Sequence, residues 1–362
     1  MGSKDIFRKP FDEGTKTKLD IYQSYLKEWL PVFLVKEKII WKNIQIFDFC
    51  SGQGQDSEGT QGSPLITLNE LNHWSGMIVN KSLNVRVVLN EFDKKSFEQL
   101  KPLIEKSNNP KVYKTEVYQK DFKNIFDEEY NSMKSSANLL FIDQSGIKLI
   151  TEEIIQKIIN LSQTDFLFFI SSSFISRFGD SDEFNKYLKI SKQEIKDKSY
   201  YHIHKIVLNY YRSLIPKSKE YYLAPFSIKK GSNIYGLVFG TNHTYGMEKF
   251  LNVCWKIDKQ RGQANFDIDS ENINENEPKL FPEFNIPNKR QIFENELQER
   301  ILKKELKTDK EVYVFALNNG FLPKDANNIL SNLKKEHKIE FGFIMISNGI
   351  HKINISSQII VN

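Results

Sequence analysis

Four acidic side chains stand at or just beyond the ends of apolar, β-prone segments of this sequence. They are Asp48, Glu91, Asp121 and Asp143. In a parallel sheet covered by helices the carboxyl ends of the strands meet at one edge, so we expect these carboxylates to converge on one crevice. Glu91 would accept the two hydroxyls of a ribose there, and Asp121 would accept from an adenine amino group. Each acid alone is more simply explained as a cap of a loop or helix, whereas four at these spacings favour a ligand crevice.

A glycine loop follows the first of these acids. The segment Asp48-Phe-Cys-Ser-Gly-Gln-Gly54 predicts the end of a buried strand and a tight turn, because Gly52 and Gly54 carry no Cβ and let the backbone approach a ligand. Ser63 is expected to cap the following helix, with Pro64 as its first residue. Strand, loop and helix in this order form a nucleotide-type site, for which we predict Asp48, Ser51, Gly52 and Gly54 as ligand-binding residues. A loop of this kind is a structural turn about as often as a ligand site.

The candidate catalytic residues are Asp143 and Gln144. They follow the apolar strand Ala137-Asn-Leu-Leu-Phe-Ile142 and precede Ser145-Gly146. A polar clamp placed here would orient an acceptor atom, and the Gln144 amide would hydrogen-bond a base amide or amine. A plain turn into the next helix is the alternative interpretation.

The elements that must position these residues alternate between strands and helices, which predicts an α/β fold with a doubly wound, mostly parallel sheet. Residues 15–36 read as an amphipathic helix whose inward positions are Leu19, Tyr22, Leu26, Trp29 and Phe33. Residues 221–228 and 234–241, with Gly231 between them, predict an antiparallel hairpin that closes the sheet. The helix 245–257 would then pack back on that sheet. We assign residues 1–258 to this Rossmann-like domain, with a basic, tyrosine-rich insert at about 180–222.

A second, smaller domain follows an acidic linker at 259–289. Three short helical patterns and a β-hairpin, with strands at 339–346 and 350–360 around Ser347-Asn-Gly349, predict a winged helix over residues 290–362. Residues 285–341 contain 11 Lys or Arg and 9 acids, so this domain is not clearly basic. Nucleic-acid binding and protein docking remain alternatives for it.

Positive charge is concentrated in one segment. The whole chain carries a formal charge of +5, whereas residues 184–230 contain 11 Lys or Arg, 3 acids and 7 tyrosines. Basic groups interleaved with aromatic rings suit a phosphate backbone with unstacked bases, and the alternative is a solvated helical face with core tyrosines. The candidate nucleic-acid residues are Lys186, Lys189, Lys205, Tyr210, Tyr211 and Arg212.

Other function classes find little support. The chain has 362 residues, 40% of them hydrophobic, which suits a folded protein of two domains, and its two cysteines cannot make a disulfide scaffold. The six histidines show no metal-ligand spacing, so we expect no metal. No apolar run is long enough to span a bilayer and no signal peptide is evident, so we expect a cytoplasmic protein without membrane contact.

Taken together, four blocks resemble the three-Cys-motif partner family of bacterial proteins. They are 14–19 with 25–29, Asp48 to Gly54 with Gly62-Ser-Pro-Leu65, Phe141 to Gly146, and Phe239 to Met247 with Cys254-Trp255. The glycine block is similar to the first motif of S-adenosylmethionine-dependent methyltransferases. The resemblance implies a Rossmann-like class I methyltransferase domain with a C-terminal winged helix, S-adenosylmethionine as cofactor and a radical-SAM-like three-Cys-motif partner. Gln144-Ser145 replaces the family's usual Pro-aromatic pair after Asp143, which puts its catalytic step in question.

Two functional hypotheses follow. The first is a methyltransferase-like enzyme that acts on nucleic acid, in phage defence or on a mobile element. The second is a non-catalytic subunit of a bacterial defence system that recognises nucleic acid or a partner protein.

Overall fold

The chain folds into two compact units. The computed structural model describes residues 9–35, 37–144, 148–178, 189–190, 193, 202–266, 268, 289–343, 345–347, 349–350 and 356–362. The first unit ends at His243 and the second begins at Thr244. Lys186 and the other residues of 180–188, residues 191–192 and 194–201 of the insert, and most of the linker at 259–289 lie outside the described residues.

A seven-stranded sheet forms the centre of the described part of the first unit. Its strands are β1 (Asn43–Asp48), β2 (Asn84–Asn90), β3 (Lys114–Tyr118), β4 (Ala137–Ile142), β5 (Gln163–Ser171), β6 (Tyr222–Lys230) and β7 (Asn233–Thr241). They lie in the order β3-β2-β1-β4-β5-β7-β6. Strands β1 to β5 are parallel, and β7 is antiparallel to both β5 and β6. This order, with its closing hairpin, is the Rossmann-like fold of class I methyltransferases, as the sequence predicts.

Helices cover both faces of this sheet. The described helices of the first unit are α1 (Glu13–Leu34), α2 (Ser63–His73), α3 (Ser75–Asn80), α4 (Lys94–Ser107), α5 (Phe122–Met133), α6 (Glu152–Ile159), α7 (Ser172–Phe178) and α8 (Ile203–Ser213). Residues of α5, α6 and α8 form one apolar core with side chains from one face of the sheet, such as Phe47, Leu140 and Phe168. The opposite face packs against α1, where the Tyr22 and Phe141 rings lie 4.3 Å apart between centroids.

Helix α1 confirms the predicted inward pattern. Leu19, Tyr22, Leu26, Trp29 and Phe33 are all buried, and their spacing of three and four places them on one side of the helix. Asp12 caps this helix by accepting a hydrogen bond from the Thr15 backbone N–H at 2.9 Å. Gly14 allows the close approach of α1 to β6, since a Cβ at this position would lie 2.6 Å from the Cβ of Lys230. The start of α1 is thereby held directly over the edge of the sheet that carries the hairpin.

The second unit contains helices α9 (Thr244–Ile257), α10 (Lys289–Leu302), α11 (Asp309–Asn318) and α12 (Pro323–Lys335), with strands β8 (Ile339–Phe341) and β9 (Ile359–Val361). Its core includes the stacked rings of Phe293 and Phe321, whose centroids are 4.0 Å apart. Thr308 and Glu311 form a reciprocal capping box at the start of α11. Three helices followed by an antiparallel strand pair give the winged-helix arrangement predicted from the sequence.

Two details of this unit differ from the sequence predictions. Helix α9, predicted to pack back on the large sheet, belongs to the second unit, where Tyr313 donates a hydrogen bond to Glu248 at 2.7 Å and Trp255 donates one to the Gly320 carbonyl at 2.9 Å. The first wing strand ends at Phe341 instead of Ile346. The Asn327 amide binds both the N–H and the carbonyl of Ile346, so these groups are not available for a strand ladder.

Candidate functional site

The glycine loop lies at the carboxyl edge of the sheet, between β1 and α2. Gly52 and Gly54 adopt the left-handed conformation, with φ of 61° and 88°. A Cβ on Gly54 would lie 3.0 Å from a methyl group of Leu100 in α4. The Gly62 N–H closes the loop on the Gly54 carbonyl at 2.8 Å. The loop therefore has a fixed shape that larger residues at positions 54 and 62 would disturb.

Glu91 holds the glycine loop from the neighbouring strand. One of its carboxylate oxygens accepts from the Gly52 N–H at 2.7 Å, and the other accepts from the Asp93 N–H at 2.8 Å. Burial raises the pKa of this carboxyl, although both hydrogen bonds act in the opposite direction. Only the remaining lone pairs of Glu91 are available to a ligand. Binding a ribose, as predicted, would therefore be a second role of Glu91 beside holding the loop.

Asp48 lies completely buried beneath the loop. It accepts hydrogen bonds from the Ser63 hydroxyl at 2.7 Å and from the Cys50 N–H at 3.3 Å. Burial raises its pKa to about 7, and the nearby carboxylates of Asp143 and Glu91 add to this effect. Ser63 is not the N-cap of α2 as predicted: Gly62 occupies the cap position, and the Ser63 hydroxyl is committed to Asp48. The Ser51 hydroxyl donates to the Asp48 carbonyl at 3.1 Å, which further fixes the start of the loop.

Asp121 and Phe92 lie on the outer side of the same edge. Asp121 is exposed and caps α5 by accepting from the Lys123 N–H at 2.9 Å. Phe92, directly after Glu91, is 70% exposed, which is unusual for a large apolar side chain. An exposed ring beside the Glu91 carboxylate is a surface on which a flat ligand group can lie.

A cavity of about 220 Å³ opens beside the glycine loop. Its lining residues are Phe11, Gly14, Thr15, Lys18 and Leu19 from the start of the unit, Cys50, Ser51, Gly52, Gly54, Gly62 and Ser63 from the loop, Asp143 and Gln144 after β4, and Phe169, Ser171, Ile228, Lys230 and Tyr235 from β5, β6 and β7. The loop and the Asp143-Gln144 pair, about ninety residues apart in sequence, thus share one cavity. Among the predicted cofactor residues, Asp48, Glu91 and Asp121 are not part of its lining.

Two lysines bring positive charge to this cavity. Lys18 of α1 forms an ion pair with Asp143, and the side chains are 17% and 29% exposed. Lys230 of β6 lies 3.1 Å from the Asp12 carboxylate and donates a hydrogen bond to the Thr15 hydroxyl at 2.9 Å. Sequence reasoning missed both lysines as site residues. Lys18 could have been predicted from the sequence, since it lies in one of the blocks of family resemblance. For Lys230 the sequence offers only its place in the basic segment.

Gln144 is 5% exposed and is oriented by one hydrogen bond. Its Oε1 accepts from the Leu149 N–H at 2.9 Å, which fixes which end of the amide is the oxygen. Within the described residues its Nε2 has no hydrogen-bond partner. Buried donors are nearly always paired in native proteins, so this amide group is directed toward a partner that the protein chain as described does not supply.

Among the predicted nucleic-acid residues that the structure describes, Tyr211 lies in the core. Tyr211 is 1% exposed: its ring packs edge-on against Phe168 and its hydroxyl donates to the Ile150 carbonyl at 2.8 Å. Tyr210 donates to Glu152 at 3.2 Å, and Lys189 lies 3.4 Å from the same carboxylate. Arg212 donates to the Leu223 carbonyl at 2.9 Å, and Lys205 lies on the same helix, α8. In the described part of the segment, the Tyr211 ring is used for packing.

Neither a candidate metal site nor a membrane-spanning helix occurs among the described residues. No group of three or more His, Cys, Asp or Glu side chains is arranged to hold a metal ion. No described helix is long and apolar enough to cross a membrane.

The C-terminal region is similar to a known family of domains. Residues 266–341 match the family model of the GMT-like wHTH domain, a winged helix-turn-helix. This match covers about a fifth of the chain, so the wider resemblance to the three-Cys-motif partner family stays a prediction. No curated protein matches the sequence.

Solved structures similar to this chain include several methyltransferases. Trm1 from Pyrococcus horikoshii, in complex with S-adenosyl-L-methionine, is 10% identical over 98% of this chain and 92% of its own, with a TM-score of 0.39. TYW2 from the same organism, in complex with MeSAdo, is 12% identical over 64% of this chain, with a TM-score of 0.27, and this chain spans 62% of its length. A methyltransferase from Geobacter sulfurreducens is 10% identical over 65% of this chain and 82% of its own, with a TM-score of 0.29. The fold assignment given above rests on the strand order itself.

Proposed function

We propose that the first unit binds S-adenosylmethionine at the carboxyl edge of its sheet and serves methyl transfer to nucleic acid. The observation that carries this proposal is the shared cavity of the glycine loop and the Asp143-Gln144 pair. In doubly wound sheets, ligands bind in the crevice at the carboxyl ends of the strands, and the loop after β1 provides backbone groups without interfering side chains. The bound cofactor would supply an electrophilic methyl group.

The charges of the site suit this cofactor. Asp48, Glu91 and Asp143 lie close enough for the latter two to raise the pKa of the Asp48 carboxyl. Lys18 compensates only Asp143 of these three acids, and a ligand that carries a sulfonium and an ammonium group would reduce the remaining repulsion beneath and beside the loop. Backbone groups of Gly52 and Gly54 would hold the methionine part, Glu91 the ribose, and Phe92 and Asp121 the adenine.

Calorimetry with S-adenosylmethionine and S-adenosylhomocysteine tests cofactor binding directly. Absence of binding at high micromolar concentration would rule out the proposal. Glu91→Gln is a sharper test of the ribose role than Glu91→Ala, because the amide oxygen can still accept from one of the two backbone N–H groups. We expect Glu91→Gln to weaken binding by about 1 to 2 kcal/mol, since hydrogen bonds to a charged group are stronger than those to a neutral one. Unchanged affinity would show that Glu91 serves only the loop.

Nucleic acid is the proposed substrate because of the winged helix-turn-helix domain and the basic segment at 184–230. Binding by Lys189, Lys205 and their neighbours, with Lys186 outside the described residues, would be dominated by phosphate contacts. Its affinity should then fall steeply with salt concentration. An affinity that does not change between 50 and 200 mM salt would contradict this assignment.

A second candidate is recognition without methyl transfer, and the ion pair between Lys18 and Asp143 favours it. A carboxylate paired with an ammonium group is already engaged within the protein, and position 144 carries an amide in place of a proline. Cofactor binding without transfer to DNA or RNA would support this candidate. The predicted defence context and radical-SAM-like partner come from the family resemblance alone, and co-purification with that partner would test them.

A further inference from the structure

A short segment of chain before α1, residues 9–12 and here called the strap, joins two walls of the cavity. On the side of the glycine loop, the Phe11 N–H donates a hydrogen bond to the Asp56 carboxylate at 2.8 Å. On the side of the hairpin, the Asp12 carboxylate lies 3.1 Å from the Lys230 ammonium group. Phe11 and Lys230 both line the cavity. The strap thus bridges parts of the site that are distant in sequence.

Asp56 holds both the outer part of the glycine loop and the strap. It is 4% exposed, and its Oδ1 accepts from the Glu58 N–H at 2.9 Å and from the Thr60 N–H at 2.8 Å. Its Oδ2 accepts from Phe11. Burial acts to raise the pKa of this carboxyl, but the three N–H groups hold that pKa below its ordinary value. The acceptor is therefore charged, which strengthens the bond to the strap.

The cavity is small for the two molecules that a methyl transfer brings together. Its volume is about 220 Å³, whereas sites that enclose a small ligand typically measure about 300 to 1,000 Å³. A wall that can move would provide the additional room. The glycine loop is fixed by Glu91 and by its own closing bond at Gly62, and β5 to β7 belong to the sheet. The strap, which lies outside the sheet and the helices, is the wall best suited to move.

Asp12 is suited to act as the hinge of this movement. It is the N-cap of α1, with extended backbone at φ −72° and ψ 166°, and its side chain binds the Thr15 N–H. Lys9 and Pro10, at the other end of the strap, are exposed. Breaking the bond to the loop would therefore release Phe11 while α1 and its cap stay in place. Hinges of this kind are commonly residues at the ends of regular elements.

Resting on the proposed function, we infer that the strap is a gate: Phe11 closes the cavity over the cofactor, and its hydrogen bond to Asp56 must break before the cofactor can enter or leave. A closed strap obstructs entry and exit alike, so a weaker bond speeds both. Asp56 is not among the described lining residues of the cavity. It is thus a positioning residue, which acts through Phe11 and not on the ligand itself.

Stopped-flow measurement of S-adenosylhomocysteine binding to the full chain tests the gate. We expect Asp56→Asn to raise the association and dissociation rate constants together, each by about 10-fold, and to change Kd by less than about 3-fold. Damage to the loop alone would raise only the dissociation rate constant. Asp258→Asn is the matched control, because Asp258 likewise accepts from backbone N–H groups with both oxygens, those of Gln260 and Gln263, but belongs to the second unit. Both of its rate constants should stay unchanged.

Phe11→Ala acts on the other partner of the bond. It removes the ring from the cavity wall and leaves Asp56 and the loop intact, so it should also raise both rate constants. It replaces Asp56→Asn if that variant fails to fold. The inference is overturned if only the dissociation rate constant rises in these variants, or if neither rate constant changes.

Amide hydrogen exchange of a peptide that covers residues 9–14 measures opening of the strap without any ligand. The Phe11 N–H should exchange about 10-fold faster in Asp56→Asn than in the unaltered protein, while exchange within α1 stays the same. If S-adenosylhomocysteine does not bind the unaltered protein, the proposed function fails, and hydrogen exchange still decides whether the strap opens. Exchange at Phe11 that is unchanged in Asp56→Asn, or that rises equally throughout α1, overturns the inference.

Discussion

Lys18, in the first turns of α1, forms an ion pair with Asp143, at the end of β4. The Lys18 ammonium also lies 5.5 Å from the centroid of the Phe169 ring. The two partners are 125 residues apart in sequence, and both line the candidate cavity. The pair therefore connects the helix that covers the cavity with a proposed catalytic residue.

Lys18→Met should destabilise the protein by about 1 to 3 kcal/mol, because it leaves a partly buried carboxylate without its cation. Asp143→Asn should destabilise the protein by a similar amount, because it leaves the partly buried Lys18 ammonium group without its anion. The double variant should be less unstable than the sum of the two, by roughly 1 kcal/mol or more. Urea unfolding of the four proteins measures this coupling, and strictly additive losses would show that the contact contributes nothing.

Gly54→Ala should impair both folding and cofactor binding, whereas Gly59→Ala should do so far less. Both residues have positive φ, 88° and 82°, so both substitutions strain the backbone. Only at Gly54 would the new methyl group contact neighbours, namely Leu100 and Leu103, while Gly59 has open space. We expect Gly54→Ala to lower the free energy of unfolding by about 1 kcal/mol more than Gly59→Ala. Thermal unfolding and calorimetry would check this, and equal effects would mean that the loop tolerates the extra contact.

Asp48 should make stability fall as pH rises through the range from about 4 to 7. Its pKa in the folded protein is about 7, whereas the ordinary value is 3.8, so between these values the unfolded chain releases the proton and the folded protein retains it. Unfolding is then favoured as pH rises, by up to about 4 kcal/mol over the whole range. Asp48→Asn cannot ionise, so its stability relative to the parent protein should increase from pH 4 to pH 7.

Denaturant unfolding of both proteins at several pH values gives this difference. Asp165, whose pKa burial raises to about 6, is present in both proteins and cancels in the comparison. A difference between the two proteins that stays constant with pH would contradict the assignment of the proton to Asp48.

Phe92→Ala should weaken S-adenosylmethionine binding by about 1 kcal/mol and leave stability nearly unchanged, because the ring is exposed and contributes little to the core. Val79→Ala is a suitable control, since Val79 is another exposed apolar residue, on α3 away from the carboxyl edge. Calorimetry and thermal unfolding of both variants provide the measurements. A loss of affinity in both variants, or in neither, would remove Phe92 from the proposed adenine site.

Local sequence patterns were sufficient to predict the parallel strands and the first helix of the first unit. The parallel strands are short apolar runs bounded by helices, and the helix spacing of Tyr22 and Trp29 places both inside, as observed. The positions of Asp48 and Asp143 at strand ends follow from the same patterns. These features depend on neighbours a few residues away, which a single sequence displays.

Interactions between distant residues could not be predicted in this way. The sequence does not indicate that Lys18 pairs with Asp143, because lysine is common in this chain and many lysines could be the cationic partner. Ser63 looks like a helix cap by type, but its hydroxyl is directed instead to Asp48, which only the folded strand brings near. The assignment of α9 to the second unit depends on contacts such as that between Glu248 and Tyr313, 65 residues apart.

Contacts between distant residues also determine when the candidate site is completed during folding. Thr15 and Lys230, joined by a hydrogen bond, are separated by 215 residues, so the cavity wall is complete only when the start of α1 has met the final hairpin of the first unit. Contacts of such high sequence separation form late, because the intervening chain must first be ordered. During synthesis the glycine loop would emerge well before the last wall of its own cavity, and a chain still missing β6 would present the loop without an enclosed site. Ligand binding by the first unit should therefore report completion of its folding.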